Sequence, residues 1–402
     1  MNTTSQHMLS SKVASMSESA TIKMAQKARN LKSLGHDVIS LSLGEPDFDT
    51  PQHIKDAASK ALADGYTKYT PVPGLPELVE AIQAKFARDN DLHFEKNQIV
   101  VSNGAKQSIA NICLSILDPG DEVIIFTPYW VSYFEIVKFA GGTPIALSAG
   151  IDQDFKVTPQ QLDAAINHKT KAILFSSPCN PTGSVYTRSE LEGLAEVIDA
   201  YENLLVISDE IYEYINFTGQ HASIGAIESM RNCTVTVNGM SKGFSMTGWR
   251  IGYMGGPAWL AKACAKVQGQ FTSGAAAFSQ KAAAIALSSD MGPTYDMREA
   301  FIRRRDLVIE GMQKIPGINV NHPTGAFYVF PDVSSYFGKR NDTMIIDDSS
   351  DFAELILESA HVAVVAGTAF GNNNCIRISY AASEEKLLEA IRRIENCLKD
   401  FK

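Results

Sequence analysis

The chain is organised by short apolar runs, each followed by small or polar residues and then by a helical pattern. The runs are Gln98 to Ser102, Glu122 to Phe126, Ala172 to Phe175, Leu204 to Ser208 and Cys233 to Val237. Runs this short and this continuously apolar suit strands covered on both faces, as in a mainly parallel sheet. Helical patterns lie between them. Ala105 to Leu117 is one, and Ser189 to Tyr201 is another, where Ser189 with Glu192 reads as a capping box. Such alternation predicts an α/β fold. Pro293 opens a long helix to about Ile315, read as a strut between domains. Two β-rich stretches follow, Ala326 to Val333 and Cys375 to Tyr380. The closing helix, Ser383 to Phe401, has acids in its first turn and bases later, matching the helix dipole. A chain of 402 residues exceeds one simple core. The expected division is a large domain, 51–292, and a smaller one in which the N-terminal arm, 1–50, joins residues 293–402. No repeat or low-complexity linker interrupts it.

Composition removes several function classes. The net charge of −9 gives no electrostatic footprint for nucleic acid. The six cysteines (113, 179, 233, 264, 375 and 397) are scattered, without a Cys-x-x-Cys or a Cys/His cluster. That argues against a disulfide framework or a zinc site and for a reducing compartment. Residues Met1 to Ser19 are polar and Ser-rich, unlike a secretory signal. No run approaches the roughly 20 apolar residues of a membrane span. The expectation is a soluble, cytoplasmic protein with no metal.

In open α/β sheets, ligands bind beyond the carboxyl ends of the strands, so the residues after each run carry the functional reading. After Ser102 come Asn103-Gly104-Ala105-Lys106, opening a helix whose exposed N–H groups favour an anion. A plain strand-to-helix turn reads equally well there. After Phe126 comes Trp130, able to stack on a planar ligand or simply to fill the core. Asn180, between Pro178 and Pro181, has a rigidly held amide, although alone it reads as a turn. Asp209 ends a buried run, where a carboxylate is costly unless paired, and Tyr212 falls on the same side of the following turn. A helix N-cap is the simpler reading of Asp209 alone. After Val237 comes Lys242 in a Gly-rich segment, with Arg250 eight residues on. A desolvated lysine becomes a nucleophilic amine, and arginine grips phosphate in two-pronged fashion. Together they suggest pyridoxal phosphate held as a Schiff base, whereas an isolated Lys-x7-Arg pair is ordinarily a solvated lysine and a surface arginine.

The ordered set of motifs resembles the class I aminotransferases, enzymes of fold type I that use pyridoxal 5'-phosphate, and within them the bacterial-type aspartate aminotransferase branch. The motifs are Ser42-Leu-Gly-Glu-Pro-Asp-Phe48, Tyr69-Thr-Pro-Val-Pro-Gly74, Asn103-Gly-Ala-Lys106, Asn180-Pro-Thr-Gly183, Ser208-Asp-Glu-Ile-Tyr212, the Lys242 segment and Arg377-Ile-Ser-Tyr380. The resemblance implies a ping-pong transamination through aldimine and ketimine stages, between aspartate and 2-oxoglutarate. In it Lys242 carries the Schiff base and shuttles the proton, and Asp209 pairs with the pyridine nitrogen. Asn180 and Tyr212 bond the 3′-oxygen, and Trp130 stacks on the ring. Gly104, Ala105 and Arg250 bind the phosphate, and Tyr69 reaches the phosphate of the neighbouring subunit of a homodimer with shared active sites. Arg377, helped by the backbone at Gly44, holds the substrate α-carboxylate.

Two departures bear on substrate. Gly239 stands where animal-type members carry a phosphate-binding serine, and the stretch Gln268 to Ala277 contains no arginine for a distal carboxylate. In the bacterial branch a lysine of the Gly-Ala-Lys motif is the apparent substitute, and Lys106 matches it, as Thr21 matches a substrate-side residue. Lys106 also reads as a solvated lysine at a helix start. The same branch includes prephenate, aromatic and alanine transaminases and C–S lyases. A non-catalytic PLP-sensing domain would carry a helix-turn-helix, and nothing before Ser11 is long enough for one. A dinucleotide-dependent dehydrogenase would show Gly-x-Gly-x-x-Gly after the first strand, and none stands there.

Overall fold

A computed structural model of the chain describes residues 8–340, 344–399 and 401. Seven strands form its large sheet: β1 (Ile99–Ser102), β2 (Glu122–Thr127), β3 (Thr143–Ser148), β4 (Thr170–Ser176), β5 (Leu205–Asp209), β6 (Thr234–Gly239) and β7 (Gly252–Gly255). Their order across the sheet is β1-β7-β6-β5-β4-β2-β3. Neighbours pair in parallel except at β7, which runs antiparallel to both β1 and β6. The expected apolar runs supply five of these strands, with ends shifted by a residue or two. All five finish at one edge of the sheet, so Ser102, Thr127, Ser176, Asp209 and Gly239 open onto a common space. Helices cover both faces. On one, Ala105–Ile116 and Ala258–Phe271 pack over Val123, Leu174 and Val235. On the other, Arg188–Asp199 packs over Ile124, Ile173 and Val206.

A second core gathers the chain's two ends. Ile39–Ser40 pairs in parallel with Val362–Ala363. The strands Val365–Ala366, Ile376–Ser379 and Tyr328–Val329 form a small antiparallel sheet beside them. One apolar cluster joins Ile39 and Leu41 to Phe301, Phe327, Val362, Ile376 and Leu387. The long helix Gly292–Gln313 buries Met297, Phe301, Arg304, Val308 and Met312, a spacing of three and four residues that keeps one stripe on this core. Its Pro293 sits in the first turn, where no N–H is required.

The local expectations need three adjustments. The capping box is Thr187 with Glu190, because the helix begins at Arg188 and Thr187 Oγ1 accepts from the Glu190 N–H at 3.3 Å. The stretches 326–333 and 375–380 contain only Tyr328–Val329 and Ile376–Ser379 as regular strand. Strands β3 and β7 have no counterpart among the expected runs.

Candidate active site

The strand ends at the sheet edge, the Gly44 loop and the small sheet enclose one cavity. Its lining includes Thr21, Gly44, Ala105, Lys106, Trp130, Asn180, Asp209, Tyr212, Lys242, Arg250 and Arg377. Thr21 and Gly44 meet Arg377, more than 300 positions away, because the two ends of the chain fold together in the second core beside the large sheet. Gly104 stands immediately behind the lining. Its φ of +85° suits glycine, and a side chain there would collide with the Arg250 guanidinium. The backbone between β1 and the helix Ala105–Ile116 can therefore lie flat against Arg250, leaving an anion cradle of helix N–H groups and guanidinium. Arg250 donates to the carbonyl of Thr247 at 2.9 Å and to that of Asn103 at 3.4 Å.

Lys242 follows the break in β6. Its Nζ donates to the Gly44 carbonyl at 2.5 Å and lies 5.9 Å from the Tyr212 ring centroid. Burial lowers its pKa to about 8, Glu45 opposing and Arg377 and Arg250 reinforcing the shift. A larger share of the amine is thus neutral and nucleophilic near neutral pH than for an ordinary lysine.

Asp209 terminates β5 and is 4% exposed. Burial raises its pKa to about 6, and the hydrogen bond from Tyr133 works against that rise. The Tyr133 hydroxyl donates to Oδ2 at 2.5 Å, and the Ile211 N–H to Oδ1 at 3.2 Å. Tyr212 meets the hydroxyl of Tyr328 at 2.7 Å. Trp130 stands edge-on to Tyr133 at 5.4 Å between centroids, and the Lys106 ammonium lies 4.9 Å from the Trp130 ring. Desolvation, followed by the charge of Arg250, lowers the Lys106 pKa.

Arg377, 2% exposed, comes from the small sheet. It donates to Asn180 Oδ1 at 2.9 Å and to the Ser42 carbonyl at 2.6 Å. Its guanidinium lies between the rings of Tyr328 and Phe370, at 4.6 and 4.9 Å. Burial lowers its pKa, and its Nε has no hydrogen-bond partner. A buried cation with an unspent donor is set up for an anionic ligand.

Of the residues singled out in the sequence, all but two line this cavity: Gly104 backs it, and Tyr69, 98% exposed, stands away from it. Sequence reasoning missed Tyr133 and Tyr328. Tyr133 lies three residues after Trp130, one helical turn on, which was the available signal. Tyr328 is an inward position of a two-residue strand and gave none.

A desolvated amine, a buried carboxylate and a buried arginine at the carboxyl edge of a parallel sheet define a site for amine–carbonyl chemistry on a small carboxylic acid. The chain belongs to the aminotransferase class I and II family, which it matches over residues 36–394, and it is an aminotransferase. It is 47% identical to the aspartate/prephenate aminotransferase of Cereibacter sphaeroides over 96% of this chain and 98% of that protein. The crystal structure of the aspartate aminotransferase from Rhizobium meliloti superposes with a TM-score of 0.95 at 42% identity, covering 98% of this chain and all of that one. The Thermus thermophilus aspartate aminotransferase with maleate gives 0.91 at 43% identity, covering 97% and 99% of the two chains. Family and fold agree with the sequence reading.

Proposed function

We propose that the chain is a pyridoxal-5'-phosphate-dependent transaminase moving an amino group between aspartate and 2-oxoglutarate by a ping-pong route. The cavity fits the cofactor on its own terms. Asp209 is a buried carboxyl to which no cation is hydrogen-bonded among the described residues. Arg250 lies against Gly104 at the cavity that Ala105 and Arg250 line, where helix N–H groups and a guanidinium suit a phosphate. When bound, pyridoxal phosphate supplies an aldehyde that takes up the amino group and a ring that accepts the electron pair left at the substrate Cα.

The chain's residues do the rest. Asp209 pairs with the ring N–H and keeps that nitrogen protonated, which also relieves the cost of its own burial. Asn180, whose Oδ1 is taken by Arg377, offers its amide N–H to the 3′-oxygen, and Tyr212 offers its hydroxyl to the same atom. Trp130 covers the ring face. Gly104, Ala105 and Arg250 hold the phosphate. Arg377 grips the α-carboxylate beside the Gly44 backbone. Lys242, displaced by the incoming amine, removes the Cα proton and returns it on the other side of the transfer. The observation carrying the reading is the convergence of Lys242, Asp209 and Arg377 on one cavity, in which burial also lowers the lysine's pKa.

Lys106 and Thr21 line the same cavity, where they would face the acidic side chain of a bound substrate. The relative carrying maleate, a dicarboxylate, supports that choice. The relative named for both aspartate and prephenate favours prephenate as a second oxo-acid partner. We propose a cytoplasmic location, in keeping with six scattered cysteines that suit a reducing compartment. No described helix is long and apolar enough to cross a membrane.

The test is a half-reaction panel, following loss of the cofactor's aldehyde absorbance with each amino acid in turn. Aspartate and glutamate should react fastest. Lys106→Ala should lower kcat/KM for aspartate by roughly 10- to 100-fold, the worth of a charged hydrogen bond. Alanine should change by less than about threefold, since it makes no contact with that charge. A wild-type enzyme faster with alanine or tyrosine, or equal losses in the variant, overturns the substrate assignment.

A further inference from the structure

Beneath the active site lies a buried charged cluster that the mechanism does not use. Lys85 is fully buried and its ammonium pairs with Glu213. Lys85 also donates to Asn90 Oδ1 at 2.6 Å. The Asn90 Nδ2, with two N–H donors, lies 2.8 Å from Glu213 Oε2, 3.0 Å from Ser223 Oγ and 3.1 Å from Glu210 Oε2 and is shared among them. Glu210 further accepts from Ser223 at 2.6 Å and from Ser208 at 2.9 Å, and it meets His221 Nε2 at 2.8 Å. The ligand-capable atoms of Glu210, Glu213 and His221 lie within 4.8 Å of one another, close enough for a metal. The chain supplies the positive charge instead, through Lys85 on Glu213 and His221 on Glu210. Burial acts against the charged form of His221, but the attraction of Glu210 and the bond between them raise its pKa overall. Glu210, reciprocally, is held below the ordinary carboxylate range despite its burial. Glu213 thus faces the Lys85 ammonium, and Glu210 faces an imidazole whose protonated form it favours.

The placement of this cluster is what matters. The turn after β5 alternates between two environments. Asp209 and Tyr212 line the cavity, while Glu210 and Glu213, one residue on from each, point into the cluster. The turn is short and irregular, closed by the Glu213 N–H on the Glu210 carbonyl at 2.9 Å and the Ile215 N–H on the Tyr212 carbonyl at 2.8 Å. The sheet fixes the start of this turn, through the Glu210 N–H on the Val237 carbonyl at 2.8 Å and the Ser177 N–H on the Asp209 carbonyl at 3.2 Å. Beyond Glu210 its outer side is anchored by the side chains of Glu210 and Glu213.

We infer that Lys85 and His221 are positioning residues for the amino-transfer site: by holding Glu213 and Glu210 they lock the outer side of the turn whose inner side presents Asp209 and Tyr212. The inference rests on the reading that Asp209 and Tyr212 contact bound pyridoxal phosphate. It predicts effects on the cofactor's electronic state that a purely stabilising cluster would not have. Breaking one buried pair leaves an uncompensated charge, whereas removing both partners of a pair does not.

The experiment compares Lys85→Met, the charge-balanced double variant Lys85→Met/Glu213→Gln, and His221→Gln as holoenzymes. Three quantities are read: the pH titration of the bound cofactor's absorbance, kcat and KM for aspartate, and thermal stability. The charged groups facing His221 are Glu210, Glu213 and Lys85, so the titration must be run on all three variants. We expect the double variant to recover the thermal stability lost in Lys85→Met. Both it and His221→Gln should keep a titration midpoint displaced by about half a pH unit or more from wild type. Their kcat should fall roughly tenfold, with KM within about twofold because Arg377 is untouched. A double variant or His221→Gln with wild-type midpoint and kcat overturns the inference, whatever its stability. Should Lys85→Met fail to fold, the other two decide. Failure of the cofactor reading is told apart by the wild type itself, which would then show no pH-dependent cofactor absorbance.

Discussion

At the scale of single residues, the site works by moving acid–base equilibria away from their solution values. Asp209 goes from 3.8 to about 6 in the cofactor-free protein because burial penalises its ionised form. A carboxyl whose folded pKa lies above its unfolded value favours folding most while protonated. Stability contributed at Asp209 is therefore full below about pH 4, declines as pH rises to about 6, and stays low above, a change on the order of 3 kcal/mol. Cofactor-free wild type should lose stability relative to Asp209→Asn across that window, measured as the difference in Tm between the two from pH 4 to 7. A constant difference would contradict the burial account. A ring N–H reverses the balance by pairing with the ionised form, which is why binding the cofactor should remove the window. Lys242 and Asp209 were readable only as members of an ordered series of strand-end residues, since alone one reads as a solvated lysine and the other as a helix N-cap. Tyr133 was not, because a tyrosine on an apolar helix face reads as core until its hydroxyl is seen against Asp209.

At the scale of elements, the caps and turns decide where each side chain points. Thr187→Ala should cost about 1 kcal/mol, since Thr187 is the N-cap of the helix Arg188–Asp199. Ser189→Ala should be nearly silent; urea unfolding of the two variants compares them directly. The sequence offered two overlapping Ser/Thr-x-x-Glu patterns, and only the backbone conformation of Thr187 separates them. Runs such as Ala172 to Phe175 announced their strands because both faces are buried. Strand β3 did not, since it is an edge strand whose residues are only partly covered. Strand β7 is Gly252-Tyr-Met-Gly255, with glycine at both ends, and has no pattern to read. Glycine is required at Gly239 for the same local reason. A Cβ there would come within 2.9 Å of Gly252 Cα and of the Ile251 carbonyl, so the neighbouring strand leaves no space for the serine of animal-type relatives.

At the scale of the whole molecule, one core is built from both chain ends and another from the middle. We propose the division already expected, with 51–292 as the cofactor-binding domain and 1–50 with 293–402 as the smaller one. The salt bridge from Arg304 to Asp47, at 2.7 Å, ties the long helix to the loop that carries Gly44. Tyr69 is exposed and is not among the residues lining its own chain's cavity; we propose that it completes the site of a partner subunit in a homodimer. Tyr69→Phe should bind the cofactor more weakly, and adding Lys242→Ala protein should restore tight binding and activity through the mixed dimer's one intact site; a fully active monomer would refute the arrangement. The pairing of distant segments explains why the fold class was legible and its contacts were not: alternation of elements sets the architecture, but the partners of Arg377 come from residues 42, 180, 328 and 370, which no local pattern links. The account as a whole stands on Lys242. Borohydride reduction of the holoenzyme followed by peptide mass spectrometry tests it most directly. The pyridoxyl group should be found on Lys242 and should disappear when aspartate is added before the reductant; a group fixed on another lysine, or one indifferent to aspartate, would contradict the assignment.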